Sequence, residues 1–235
     1  MPKETQPGVY DYHASSLPQR TFLTTAIALC TAVACWILLG SGLHTIGAWF
    51  GQTWNPENTP RSITLAVALT IYFLRLLLTQ FFFLKRGVRW SEAFAIAPWL
   101  LFIYIGLSIE AARNPTPFAT AASIGVALFL IGSWMNTWSE HQRSIWKTRP
   151  ENHGRLYTGG LFHYTRHPNY LGDVLSFSGL CLISGRWITA IIPALMLAGF
   201  VFVNIPMLDA HLQEHYGNEF TYYAAQTRKL IPFIY

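Results

Sequence analysis

A chain of 235 residues with 52% hydrophobic and only 11% charged side chains carries about half the charge of an ordinary soluble domain. Its apolar residues fall in long runs rather than at helical or strand spacing, which sets aside a soluble globular domain and points to a single integral membrane domain over 1–235. The net charge of +5 does not indicate nucleic acid, because the basic residues follow membrane topology. The opening segment, 1–20 (MPKETQPGVYDYHASSLPQR), is polar and lacks the short basic start of a cleavable signal. The apolar stretch after it is therefore expected to stay as an anchor. Cys30, Cys35 and Cys181 sit inside apolar runs, where a thiol packs as a small hydrophobe, and their spacing suggests neither a disulfide framework nor a metal site.

A helix needs about 20 apolar residues to cross the hydrocarbon core. Such stretches run at 21–43, 62–84, 92–109, 117–138, 169–184 and 187–208. They predict an all-α, multi-pass transmembrane bundle of about six spans, with five or seven also open. The fifth is short, begins beside Pro168 and turns into the sixth through Ser184-Gly185-Arg186, so the two read as one tight helical hairpin. Six spans place the N-terminus, the 85–91 loop, the 139–168 segment and the tail on one side. That side holds twelve Lys and Arg, against three opposite (Arg61, Arg113, Arg186). By the positive-inside rule both termini are expected in the cytoplasm. Arg75 falls within the second span, where an ionisable group is expensive and is a functional candidate by default. The competing reading is an arginine that snorkels to an interface.

Between the fourth and fifth spans lies SEHQRSIWKTRPENHGRLYTGGLFHYTRHPNYLGD (139–173), too polar for lipid and expected at the cytosolic mouth. Arg143 and Lys147 are four apart, so on a continuing helix they share a face and can converge on one phosphate. Arg149, Arg155 and Arg166 add to the field, although a basic stripe at a membrane surface also arises for topology alone. Gly159-Gly160 supplies a flexible turn. Arg166, His167, Asn169 and Tyr170 then bring a cation, an imidazole, an amide and a ring together before a helix whose first turn suits Pro168. Asn169 and Asp173 are four apart and can face one ligand, or else cap the helix. Cations with an amide and a carboxylate suit a nucleotide.

At these residues the chain resembles a known group: GGLFHYTRHPNYLGD (159–173) is similar to the cofactor-binding segment of steroid 5α-reductases and sterol reductases. Arg143/Lys147 sits where sterol reductases have a Lys/Arg pair at the same spacing, and RKLIPFIY (228–235) resembles the ending of both groups. The likeness covers roughly 139–235, the expected cofactor-binding part. Earlier, Tyr72-x-x-Arg75 followed by Lys85-Arg86-Gly87 resembles a 5α-reductase stretch whose spacing differs by about two residues. The resemblance implies NADPH held in the cytosolic half of the bundle and a lipidic substrate entering from the membrane. It carries Arg143, Lys147, Arg166, His167, Asn169, Tyr170 and Asp173 over as the cofactor set. One departure matters: the Gln-Glu pair that engages the substrate ketone in 5α-reductases has no match in an early span, the nearest candidates being Gln52 and Glu57 in a loop.

The RHPxY-Gly pattern also resembles isoprenylcysteine carboxyl and phospholipid methyltransferases, which bind S-adenosylmethionine with it. Those enzymes follow it with an acidic pair, where this chain has Leu208-Asp209. His163-x3-His167 and His211-x3-His215 have the spacing of membrane di-iron hydroxylases, but no HxxHH accompanies them. A non-catalytic membrane scaffold is the remaining class. The preferred expectation is hydride transfer from NADPH to an electron-poor carbon–carbon double bond of a membrane-dissolved steroid or isoprenoid. In it Tyr72 is the proton donor or carbonyl partner, and Arg75 stabilises the developing negative charge.

Overall fold

The computed structural model describes residues 15–235, so the first fourteen positions of the polar opening segment lie outside the described residues. Among the described residues every regular element is helical, beside one isolated parallel bridge between Thr165 and Arg228. In chain order these are α1 (Leu17–Leu39), the short α2 (Gly42–Trp49), α3 (Thr59–Leu78), α4 (Trp90–Ala112), α5 (Thr120–Lys147), α6 (Pro168–Ser184), α7 (Ile191–Gly199), α8 (Ile205–Tyr216) and α9 (Asn218–Gln226). A π-helical turn, Thr79–Phe83, extends α3, and a second, Phe200–Asn204, joins α7 to α8.

Among the described residues five helical stretches are long and apolar enough to cross a membrane: Leu17–Leu39, Thr59–Phe83, Trp90–Ala112, Thr120–Lys147 and Trp187–Tyr216. The fifth stretch of the sequence reading, the one not among these, is α6, whose 17 residues span about 25 Å at the helical rise, shorter than the rest. Gly185, at φ 70, ends α6 in the left-handed conformation that glycine adopts freely, and the chain turns at once into the last long helix. Many large apolar side chains point outward, Phe102 (56% exposed) and Phe202 (78%) among them, as lipid-facing positions do. The interior of α1, α3 and α4 is sealed by Ile27, Ile37, Leu65, Leu69, Ile103 and Leu107.

The tightest seam joins α5 to α6. Gly125 lies against Gly179 and Gly132 against Gly172; a Cβ on either Gly132 or Gly179 would come within 2.4 Å of the facing glycine's carbonyl oxygen. In lipid, where apolar surface gains nothing from association, small residues let backbones approach and supply the packing. The seam is antiparallel and ends where Asn136 donates to the Asn169 carbonyl at 3.0 Å. α5 then continues to Lys147, about 16 Å further. The last turns of α5 therefore run past the start of α6.

Two arginines finish the helix ends. Arg20 donates to the carbonyls of Gln80, Leu84 and Arg86 below α3. Arg61 donates to Ile183, Thr116 and Pro117 carbonyls at the opposite face. The tail folds back onto the segment before α6: Arg166 N–H donates to the Arg228 carbonyl at 2.8 Å, and Thr165 Oγ1 donates to those of Lys229 and Leu230.

Candidate functional site

Inside the bundle Arg75, on α3, turns away from lipid and is 5% exposed. Its Nη2 donates to Asp173 Oδ1 on α6 at 2.7 Å, and its guanidinium carbon lies 4.5 Å from the Tyr72 ring centroid. Tyr72 is buried against Phe177 and Tyr104, with ring centroids 5.0 and 6.5 Å away. The Nε and Nη1 of Arg75 are buried without a hydrogen-bond partner, so the cation has donors to spare in a region where orphaned donors are costly.

At the mouth, a cleft of about 60 Å³ is lined by Arg143, Lys147, Arg166, His167, Asn169 and Tyr216, among others. α5 does continue as a helix through this region, which sets Arg143 and Lys147 one turn apart on the same wall. Arg143 pairs with Glu140 at 2.5 Å, and Lys147 Nζ donates to the Tyr216 hydroxyl at 2.9 Å. Arg166 is more committed: it donates to Asp209 at 2.7 Å and to the Ala224 and Thr227 carbonyls, leaving Nε buried and unpartnered. His167 Nε2 lies 3.0 Å from the other Asp209 oxygen. Tyr223 closes the cleft from α9, its hydroxyl donating to the Phe162 carbonyl at 2.6 Å. Burial pushes that phenol well above the usual tyrosine range, although the Arg166 charge pulls the other way, so it remains a donor at neutral pH.

Core and cleft are joined by a buried carboxylate. Glu140 accepts from Asn169 Nδ2 at 3.1 Å and from Arg143, and Asp173 lies one turn below Asn169 on α6. Neither Asn169 nor Asp173 caps α6: the N-cap is His167, without a side-chain bond, and their side chains go to Glu140 and Arg75. Tyr170 stacks between His167 and Phe200, centroids 5.3 and 4.5 Å away. Sequence reasoning passed over Asn136 and Glu140. The signal was available, since Asn136, Glu140, Arg143 and Lys147 follow one another at spacings of four, three and four on a single helix. Gln52 and Glu57 precede α3, about 24 Å along that helix from Arg75, so the structure separates them from this cluster. His163 and His167 diverge, His163 lining a different groove. That groove is larger, about 700 Å³, but the cations and the buried polar chain converge on the smaller cleft, and charge chemistry outweighs size as a guide to the site.

Helices of membrane length around a buried ion pair, with a cationic mouth, define a polytopic membrane protein with an interior polar site. A family model described as "Protein of unknown function (DUF1295)" matches residues 93–228. The chain belongs to that family, the steroid 5α-reductase family that its motifs resemble. It is 27% identical over 222 residues to "3-oxo-5-alpha-steroid 4-dehydrogenase 2" of Sus scrofa, covering 91% of this chain and 85% of the relative. The Rattus norvegicus protein of the same name is 26% identical over 241 residues, covering 98% and 89%. "Protein-S-isoprenylcysteine O-methyltransferase B" of Arabidopsis thaliana is 30% identical over 88 residues, 37% of this chain and 45% of the relative.

Proposed function

We propose that this chain is a membrane reductase that transfers hydride from NADPH to an electron-poor carbon–carbon double bond of a lipidic, steroid-like substrate, with both termini and the cofactor cleft facing the cytoplasm. One observation carries the reading. The cationic cleft of Arg143, Lys147 and Arg166 leads through Asn169 and Glu140 to the buried Asp173–Arg75–Tyr72 cluster, so an anion site at the surface adjoins a charge-stabilising site inside the bundle.

The residues present suit the cofactor by their donor chemistry. Arg143 and Lys147 are incompletely buried and retain N–H groups for phosphate, Arg166 has an orphaned Nε, and Tyr157, Phe162 and Tyr216 offer aromatic walls. When bound, the nicotinamide supplies the hydride. Asp173 holds Arg75 in one orientation. Arg75 places positive charge where the substrate's carbonyl oxygen becomes anionic, and Tyr72 donates a hydrogen bond or proton there. The relatives' name describes a 3-oxo steroid and its 4-position bond, an enone whose ketone needs such a partner. Because Gln52 and Glu57 are remote, the ketone contact in this chain falls to Tyr72 and Arg75.

The methyltransferase match and the RHPNY segment support a second reading, S-adenosylmethionine binding. Against it, Asp209 already accepts from both Arg166 and His167, which leaves that carboxylate neutralised rather than open to an ammonium. Titration of the purified protein with NADPH, NADH and S-adenosylmethionine decides. Saturable NADPH binding, tighter than NADH, is expected; S-adenosylmethionine binding with no NADPH binding would replace the reductase by the methyltransferase.

A further inference from the structure

The cleft between α5 and the elbow formed by α8 and α9 is too small for the ligand its charges suit. It holds about 60 Å³, against about 300–1,000 Å³ for sites that enclose a ligand of drug size. A dinucleotide therefore enters only if a wall withdraws. Two walls are fixed: Arg143 and Lys147 stand on the long helix α5, and Asn169 lies on α6, which the glycine seam holds against α5. The remaining wall is the elbow, through Leu212 and Tyr216 of α8 and Tyr223 of α9.

The elbow is built to move as one piece. Across its Gly217 turn Thr221 Oγ1 donates to Gln213 Oε1 at 3.2 Å, and Gln213 Nε2 donates to the Gly217 carbonyl at 3.1 Å, so the two arms are tied together. One side chain grips both arms at the base: Arg166 donates to Asp209 on α8 and to the Ala224 and Thr227 carbonyls at the end of α9. Beyond that grip the elbow rests on a small cluster of its own, Leu156, Phe220 and Tyr223, apart from the main core. Few buried apolar contacts mark a unit that opens more readily than the rest of a fold. The π-helical turn Phe200–Asn204 precedes α8, an irregularity at which helices bend. The elbow also has space to enter. The groove of about 700 Å³ lies along α9, and Tyr223 lines both groove and cleft, so a shift of α9 toward the groove widens the cleft without compressing close-packed side chains.

Three polar contacts hold the elbow shut. Tyr223 donates to the Phe162 carbonyl, the Leu156 amide donates to Glu219 at 3.2 Å, and Lys147 Nζ donates to the Tyr216 hydroxyl at 2.9 Å. The last sets a cation against a neutral phenol, and a phosphate is the stronger acceptor for it. We propose that the α8–α9 elbow is a lid that turns about Arg166 into the groove, and that Lys147 is its latch, released when an anionic ligand takes the ammonium from Tyr216. This rests on the reading of the cleft as the cofactor site.

Two measurements on the full chain test it. In stopped-flow fluorescence Tyr216→Phe keeps the aromatic wall and removes the latch. NADPH should then associate about fivefold faster, the factor that a net hydrogen bond of about 1 kcal/mol represents, with no loss of affinity. Unchanged or slower association, or weaker binding, would overturn the latch; weaker binding would make the hydroxyl a ligand contact instead. In the second measurement the chain, its three cysteines replaced by alanine, carries nitroxides at Thr148→Cys and Asn218→Cys, exposed positions at the end of α5 and the tip of the elbow. A reference pair joins Thr148→Cys to Ala225→Cys at the base. Saturating NADPH should weaken the dipolar coupling of the first pair and leave that of the second. A first pair that does not change, or two pairs that change alike, would overturn the lid. If the wild type binds no NADPH, the reductase reading falls by itself, and the same two pairs with S-adenosylmethionine decide the lid by the same criterion.

Discussion

Consider Asp173→Asn. Arg75 has one hydrogen-bonded anion, Asp173 Oδ1 at 2.7 Å, while two of its nitrogens already lack partners. The substitution keeps the shape and removes the charge, leaving a buried cation facing the Tyr72 ring. Breaking a buried pair from one side costs about 3–5 kcal/mol. The Asp173 side chain is 21% exposed against 6% for Arg75, so water relieves part of the loss and about 3 kcal/mol is the better figure. At about 2–4 °C per kcal/mol for a chain of this size, Tm should fall by about 6–12 °C. Replacing the pair by Arg75→Leu with Asp173→Leu removes both charges, and pairs exchanged for apolar residues are often neutral. The double variant should therefore recover most of the Tm while remaining inactive. Thermal unfolding of the wild type, the single variants Arg75→Leu and Asp173→Leu and this double variant in one detergent reads the coupling, with Asp173→Asn alongside. A double variant whose Tm loss equals the sum of the two singles would show that Arg75 and Asp173 do not stabilise each other, and the interior site as described would be wrong.

Arg143→Ala with Lys147→Ala should weaken NADPH binding much more than NADH binding, at about 1.5–3 kcal/mol per lost charge-assisted contact; equal weakening of the two in titration would detach the pair from the additional phosphate. Tyr72→Phe should cut turnover of an enone steroid at least tenfold with NADPH affinity unchanged, and wild-type turnover would remove Tyr72 from the chemistry. Gly132→Ala forces a methyl group against the Gly172 carbonyl, an overpacking cost of about 1–3 kcal/mol, and should lower both Tm and NADPH affinity by prising apart the seam that carries Asn136 and Asn169. Gly106→Ala, which meets nothing within 4 Å, should lower neither; if the two alanine variants behave alike, the seam does not position the cleft.

The helices were legible because lipid leaves a long apolar run little choice but to form one, and Arg75 was legible because a charge stands out in such a run. Its partner was not. Asp173 lies 98 positions away, and read singly it looked like a ligand group or a cap; only the packing of α3 on α6 makes it the other half of an ion pair. Arg166 likewise read as a cofactor cation, yet most of its donors hold Asp209 and the tail, an arrangement that depends on where α8 and α9 come to rest. The Gly125–Gly179 and Gly132–Gly172 contacts were hidden for a simpler reason. A glycine in an apolar stretch has the same letter whether it faces lipid or a neighbouring backbone.

The strap between Thr165–Arg166 and Arg228–Leu230 also imposes an order on biogenesis. The two strands of the strap are more than sixty positions apart, so the ribosome finishes the first long before the second exists. At about 5–20 residues per second the interval lasts on the order of 3–12 s. Arg166 waits 43 positions for Asp209, and 58 and 61 for the Ala224 and Thr227 carbonyls. A nascent chain stalled after α6 would hold that arginine and its neighbouring histidine without these partners.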